Sequence, residues 1–338
     1  MQNDYLCGVL ALFRNADILT SLLLLLWAAA SRPFVWFYPE LIAPVEMSGA
    51  GALYRVLFVD WAPAPMQSAI AAAFLIFVQA LLINRICDRF RLMPDRNWIP
   101  GAVYVLLRSL LGQSWQVSPV MLGATFLPIM YMQAFSTYKV VEANGRIFNS
   151  GFVASLAALF FAPAIWWVLG GYVILHIMRK FSLREQAVWL SGVFTPLYLG
   201  ALIFWIWDQG KFFVQAQFVQ DWGWGWRFDW QALDVRLSLI VWGVLLGLAI
   251  LGYGLFTSRQ LIHAKKCFNA LYWMLLIGAL SWVGRRDTDT GWLLLVAPSL
   301  SVLLSLALQR ASHRAIAEMA FFLLFSVAIT IQFYFLWP

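Results

Sequence analysis

"GFVASLAALFFAPAIWWVLGGYVILHIMRK", Gly151 to Lys180, decides how the whole chain is threaded. Twenty-eight residues without a formal charge, Gly151 to Met178, end on two cations, and Pro163 and Gly170-Gly171 interrupt them. As one helix they would reach about 42 Å, against a bilayer hydrocarbon core of about 30 Å. A proline in mid-helix also removes a hydrogen bond and bends the chain. Two readings follow: a hairpin of two short helices, or one kinked and tilted span. In the hairpin, "RKFSLRE" returns to the side from which the stretch set out. In the single span, every later loop changes sides.

The cations choose between them. With a hairpin, one side collects Arg14, Arg85, Arg89, Arg91, Arg96, Lys139, Arg146, Arg179, Lys180, Arg184, Arg259, Lys265, Lys266, Arg310 and Arg314, 15 in all. The other side holds 7: Arg32, Arg55, Lys211, Arg227, Arg236, Arg285 and Arg286. A single span gives 12 against 10. Lys and Arg accumulate on the cytoplasmic side of membrane proteins, so the hairpin is preferred. Its halves are short, so the bend lies within the membrane thickness, and its freed backbone groups need protein or water around them.

The rest of the chain has the same character. It is 62% hydrophobic and only 12% charged, with mean hydropathy +0.77; a soluble domain is near a quarter charged. These values predict an all-α, polytopic transmembrane helix bundle of ten to eleven segments, including the Pro/Gly-broken hairpin at 151–178. Residues 1–338 read as one integral membrane domain with outer loops at 31–65, 208–236 and 284–290. The start, "MQNDYLCGVLALFRNAD", lacks a basic leader region and a small-residue cleavage site. The expectation is a multi-pass protein of the bacterial inner membrane, with its N-terminus cytoplasmic and its first span uncleaved.

The net charge of +7 is what that topology produces, and it does not argue for nucleic acid. Cys7, Cys87 and Cys267 all fall on the predicted cytoplasmic side, where thiols stay reduced. His176, His263 and His313 stand far apart, with no metal-ligand spacing, so no structural metal site is expected. Walker A, GxSxG and GxGxxG patterns are absent from the sequence, which removes support for nucleotide-driven chemistry.

The predicted outer loops carry Glu40, Glu46, Asp60, Asp208, Asp221, Asp229, Asp234, Asp287 and Asp289, nine of the 16 carboxylates. Outward carboxylates can hold a divalent cation or act as a general base, although solvated loop acids are common. Arg108 sits inside a short apolar span. There a cation needs a cavity, a carboxylate or an anionic ligand, or else it snorkels to the interface. "DWGWGWRFDW", Asp221–Trp230, is either an interfacial anchor or a stacking platform for a sugar or prenyl chain, with Asp221, Trp222, Trp224, Trp226 and Asp229 as its contacts.

Two resemblances rest on quoted segments. "NWIPGAVYVLLRSLL", "SPVMLGATFLPIM", "IFNSGFVASLAALFFAP" and "FSLREQAVWLSGVFTPLYL" resemble an uncharacterised family of polytopic inner-membrane proteins of Bacteroidota, which has no assigned activity. The layout is also similar to the GT-C class of polyprenyl-phosphate-dependent glycosyltransferases. It shares an acidic first outer loop, short central spans, an apolar–Pro–apolar–basic segment like Gly151–Lys180, and the sequence Arg184, Glu185, Gly192, Pro196, Trp205. That class usually has a paired acidic motif in the first loop and a sizeable outer domain. Here Glu40, Glu46 and Asp60 stand apart, and no such domain is visible.

The second resemblance implies envelope glycan or glycolipid assembly, with a sugar moving from a polyprenyl phosphate carrier on the periplasmic face. It gives Asp60, Glu46 and Glu40 the catalytic role and makes Arg108 and Arg286 phosphate clamps. A divalent cation is the one cofactor the loops would suit. The expected partners are membrane lipid and a polyprenyl-phosphate-linked sugar, with no nucleic acid. Two other roles remain open: a non-catalytic subunit of an envelope or secretion machine, and a lipid or solute transporter with Arg108, Gln79 and Gln133 on its path.

Overall fold

A computed structural model describes residues 9–14, 17–41, 47, 49–58, 64–219, 233–253, 261–281, 290–311 and 314–334. Among these residues the chain is helical, with one isolated β-bridge between Ala50 and Phe161. The bundle consists of α1 (Ile18–Ala30), α2 (Pro65–Arg89), α3 (Ile99–Ser109), α4 (Pro119–Phe135), α5 (Asn144–Phe160), α6 (Trp166–Met178), α7 (Leu183–Ile206), α8 (Leu233–Leu251), α9 (Ile262–Leu280), α10 (Trp292–Arg310) and α11 (Arg314–Tyr334). α2, α7, α10 and α11 are each long and apolar enough to cross a membrane, and most of the others are shorter apolar helices. The protein is a multi-pass, all-helical membrane protein.

Hydrogen bonds between helix ends establish the threading. At one end, Trp98 N–H donates to the Phe13 carbonyl (2.8 Å), Asn97 pairs with Gln309, and Lys266 Nζ donates to the Met178 carbonyl (3.1 Å). At the opposite end, Gln332 Nε2 donates to the Ser31 carbonyl (2.8 Å), Ser238 Oγ to the Leu110 carbonyl (3.2 Å), and Val117 N–H to Ser68 Oγ (3.1 Å). Successive helices therefore alternate in direction. The first end also gathers Arg85, Arg89, Arg146, Arg179, Lys265 and Arg310, and we call it the basic end; the other is the far end.

The opening stretch is a hairpin. α5 leaves the basic end and α6 comes back to it. There Arg179 Nη1 donates to the Val140 carbonyl (3.0 Å), just ahead of the start of α5. α7 then runs parallel to α5. Its N-terminus carries a reciprocal cap, in which the Ser182 hydroxyl accepts from Glu185 N–H and the Glu185 carboxylate accepts from Ser182 N–H. The same carboxylate pairs with Arg179 at 2.5 Å. Close packing holds α5 against α7: a Cβ on Gly192 would lie 2.2 Å from the Phe148 carbonyl oxygen, so only glycine lets the backbones approach this far.

Two details of the sequence expectation need correcting. The break falls at Phe161, whose extended backbone (φ −135°, ψ 103°) ends α5, and Pro163 lies in the short 3₁₀ turn Ala162–Ile165 that follows. Pro163 stands in the first turn of the returning arm, where its missing N–H costs nothing and its fixed φ suits a helical start, so the chain leaves α5 ahead of the ring. Gly170 and Gly171 do not interrupt anything: both lie within α6, with Gly170 against Met274 of α9. Their role is close packing. The first arm also starts earlier than residue 151, at Asn144.

The bend is held by protein. Ala162 N–H donates to the Gly49 carbonyl (2.9 Å) and Gly51 N–H to the Phe160 carbonyl (2.9 Å). Gln217, after α7, donates through Nε2 to the Ala158 carbonyl (2.8 Å) and accepts from Ala52 N–H (3.3 Å). Gly51 is forced here, because a Cβ would sit 2.2 Å from the Leu159 carbonyl oxygen. Segments of two separate far-end loops thus close over the hairpin tip.

Cys87 and Cys267 are free and buried toward the basic end; Cys7 lies outside the described residues.

Candidate functional site

The far end contains a second buried polar cluster of a different kind. α3 is short because its apolar run is short, and every one of its residues is buried. Arg108, its penultimate residue, is 0% exposed and so cannot snorkel to the interface. Nη1 reaches only the Leu294 carbonyl, at 3.5 Å, while Nε and Nη2 have no hydrogen-bond partner. The guanidinium carbon lies 5.6 Å from the centre of the Tyr104 ring, one turn earlier on α3. That contact offsets part of the desolvation, on the order of 2 kcal/mol when water is excluded.

Arg32 faces the same space. It follows α1 and precedes Pro33, which starts the short helix Pro33–Phe37. Phe34 of that helix packs on Trp115 and on Phe333 of α11, and Arg32 itself is 1% exposed. All three of its guanidinium nitrogens lack a partner. Burial, first, and the facing charge of Arg108, second, pull the Arg32 guanidinium down to about 9, so it is still protonated at neutral pH. Two like charges therefore meet in a water-poor site, and no carboxylate from the described residues stands between them.

Polar groups frame the pair. Gln332 donates to the Ser31 and Ser109 carbonyls, and its Oε1 is buried without a partner. Ser114 Oγ donates to the Arg108 carbonyl and holds the end of α3 in place. The Tyr104 hydroxyl donates to Gln79 Oε1 (2.6 Å), while Gln79 Nε2 donates to the Met121 carbonyl (2.9 Å) and to Thr125 (2.6 Å). Gln79 is thus committed to the helix framework. Leaving a guanidinium buried and unpaired costs several kcal/mol, on the order of a large share of a domain's stability. A doubly anionic group between the two arginines would remove that cost through charge-assisted, bidentate hydrogen bonds.

Arg108 was legible from the sequence as a cation in an apolar span. Arg32 was not: it reads as an ordinary loop cation. Its one signal is context, since "SRPFVWF" places it between the end of a span and a proline followed by aromatic residues. Glu40 lies in the helical turn Pro39–Leu41 and is exposed. Asp60, Glu46, Arg286, Asp221, Trp222, Trp224, Trp226 and Asp229 lie outside the described residues. Among the positions that carry the GT-C resemblance, Glu185 and Gly192 serve α7 itself, Pro196 is inside that helix, and Trp205 is 77% exposed.

Neither the family models nor the curated protein sequences searched contain a match to this chain. A solved structure does: the crystal structure of ArnT from Cupriavidus metallidurans bound to undecaprenyl phosphate is similar with a TM-score of 0.52 at 13% identity. The likeness covers 88% of this chain and 60% of that one. The chain thus spans well under two thirds of the structure it matches, and at this identity the likeness is one of fold. It agrees with the GT-C-like layout read from the sequence.

Proposed function

We propose that the Arg32–Arg108 pair binds the phosphate of a polyprenyl phosphate carrier, within a GT-C-like protein of envelope glycan or glycolipid assembly. The observation that carries this reading is the pair itself: two buried guanidiniums with no counter-charge among the described residues. A fold shared with a structure that holds undecaprenyl phosphate supports the choice of anion. The tail of such a carrier is compatible with a site framed by spans and near the aromatic cluster that Phe34, two residues after Arg32, forms with Trp115 and Phe333.

In this reading the basic end faces the cytoplasm, as the positive-inside rule requires, and the arginine pair lies toward the periplasmic face of the inner membrane. Arg108 and Arg32 hold the phosphate from two sides, and their charge stabilises it as a leaving group when a sugar departs. Asp60, Glu46 or Glu40 would act as general base for the acceptor hydroxyl, alone or through a divalent cation, and Arg286 would be a further clamp. The tryptophan-rich loop would supply the sugar platform through Asp221, Trp222, Trp224, Trp226 and Asp229.

The test has two arms. Binding of undecaprenyl phosphate to the purified protein should fall in Arg32→Met and Arg108→Met, and sugar transfer should fall in Asp60→Ala and Glu46→Ala with binding kept. Unchanged binding in both arginine variants would overturn the site. Intact binding with no carboxylate-dependent transfer would keep the carrier site and favour a non-catalytic or transport role.

A further inference from the structure

A cleft of about 1210 Å³ lies on the flank of the bundle, between α8 and α11, with α10 as its floor. Ile240, Val244 and Leu248 form one wall, and Leu323, Leu324 and Val327 form the other. Ile240, Val244 and Leu248 are each more than half exposed, so the cleft opens sideways, toward lipid in a membrane. Among the described residues of its lining Arg310, the last residue of α10, is the charged one, and Arg314 starts α11 close by in sequence.

The dimensions identify the occupant. From Ile316 to Val327 the α11 wall covers twelve residues, about 16 Å of rise. Half of a hydrocarbon core of about 30 Å is nearly the same length. The cleft is therefore one leaflet deep, apolar along its length, with a cation at the basic end. Its other end is shut: Ser238 of α8 and Gln332 of α11 both hydrogen-bond to the end of α3, at the Leu110 and Ser109 carbonyls (3.2 and 3.3 Å). That seam separates the cleft from the arginine pair. The nearest α3 residue in the lining, Val103, is five residues short of Arg108, about 7.5 Å along the axis. A polyprenyl tail anchored at the pair would have to pass the seam to enter.

We propose that this cleft is a binding site for an anionic glycerophospholipid of the basic-end leaflet, one acyl chain lying between α8 and α11 and the headgroup phosphate at Arg310. The chain fills space that would otherwise be a gap in a close-packed wall. It ties α11 to α8 where the two helices make few direct contacts. The site is independent of the carrier site: one can fail while the other stands.

The experiment is native mass spectrometry of the full chain released from nanodiscs of phosphatidylglycerol, of phosphatidylcholine, or of a mixture. The expected result is one phosphatidylglycerol retained in preference to phosphatidylcholine. Arg310→Gln should lower that preference about fivefold, the attraction of one cation to an anionic lipid. Ala320→Trp and Ala307→Trp, each placing a large ring in the cleft, should both abolish retention. Equal retention of the two lipids by the unaltered protein, or undiminished retention in both tryptophan variants, would overturn the site. So would displacement of the retained phospholipid by undecaprenyl phosphate in the Arg32→Met, Arg108→Met double variant, which would make the cleft a groove for the carrier's tail.

Discussion

The hairpin tip and the arginine pair are both buried polar clusters at the far end of the bundle, and they are finished in opposite ways. At the tip, the amides of Phe161, Ala162 and Ala164 and the carbonyls of Ala158 and Phe160 all have partners, supplied by Gly49, Gly51, Gln217 and the turn itself. At the pair, five guanidinium nitrogens, three of Arg32 and two of Arg108, have none. A saturated cluster is complete as architecture. An unsaturated charged one is complete only with something else in it, because folding would otherwise bear the full desolvation cost of two ions.

The sharpest way to break this comparison is Arg108→Met. Methionine keeps the unbranched stem as far as the Nε position and removes the charge. Undecaprenyl phosphate binding should weaken about 100-fold, close to 2.7 kcal/mol. Without ligand, the variant should melt at the same temperature or higher, since replacing a buried unpaired charge by an apolar side chain is neutral or stabilising by about 1–4 kcal/mol. A lower melting temperature together with intact binding would make Arg108 structural and erase the contrast.

The hairpin should behave the other way round. Gly192→Ala places a Cβ against the Phe148 carbonyl and should cost about 3 kcal/mol through forced separation of α5 and α7. Thermal melting in detergent would show it, and carrier binding per folded molecule should not change. Gln217→Ala leaves Ala52 N–H and Ala158 C=O without their partner. It should cost about 2 kcal/mol and raise hydrogen exchange at residues 50–52 and 158–164 before anywhere else. The smallest effect belongs to Glu185→Gln, which keeps a side-chain acceptor for Ser182 N–H but loses the Arg179 pair. Both side chains are largely buried, but the amide oxygen can still accept from Arg179, so the expected cost is about 1.5 kcal/mol. If Gln217→Ala abolished binding as completely as Arg108→Met, the two clusters would be one functional unit.

Parts of this were visible in residue order. The alternation of charge between loops found the hairpin, because membrane topology leaves its record in where Lys and Arg fall. It missed by two residues where the hairpin breaks, because Pro163 opens the returning arm and does not close the outgoing one. It misread Gly170-Gly171 as a break, since glycine that permits close helix packing looks the same in a sequence as glycine that ends a helix. Arg108 stood out because it sits within the apolar run Ile99–Leu111. Arg32 did not, because its burial is a tertiary property: the Ser31 carbonyl beside it is held by Gln332, at the other end of the chain.

Residue order is enough to show a polytopic helical bundle, to tell which end is basic, and to turn the stretch from Gly151 to Lys180 back on itself. Those are properties of composition and of charge placement, and they need no partner. Packing was needed to bring Arg32 near Arg108, to close the bend with Gln217, and to leave a cleft one leaflet deep between α8 and α11. Each of these joins residues far apart in the chain, and what sets their chemistry is the water excluded between them.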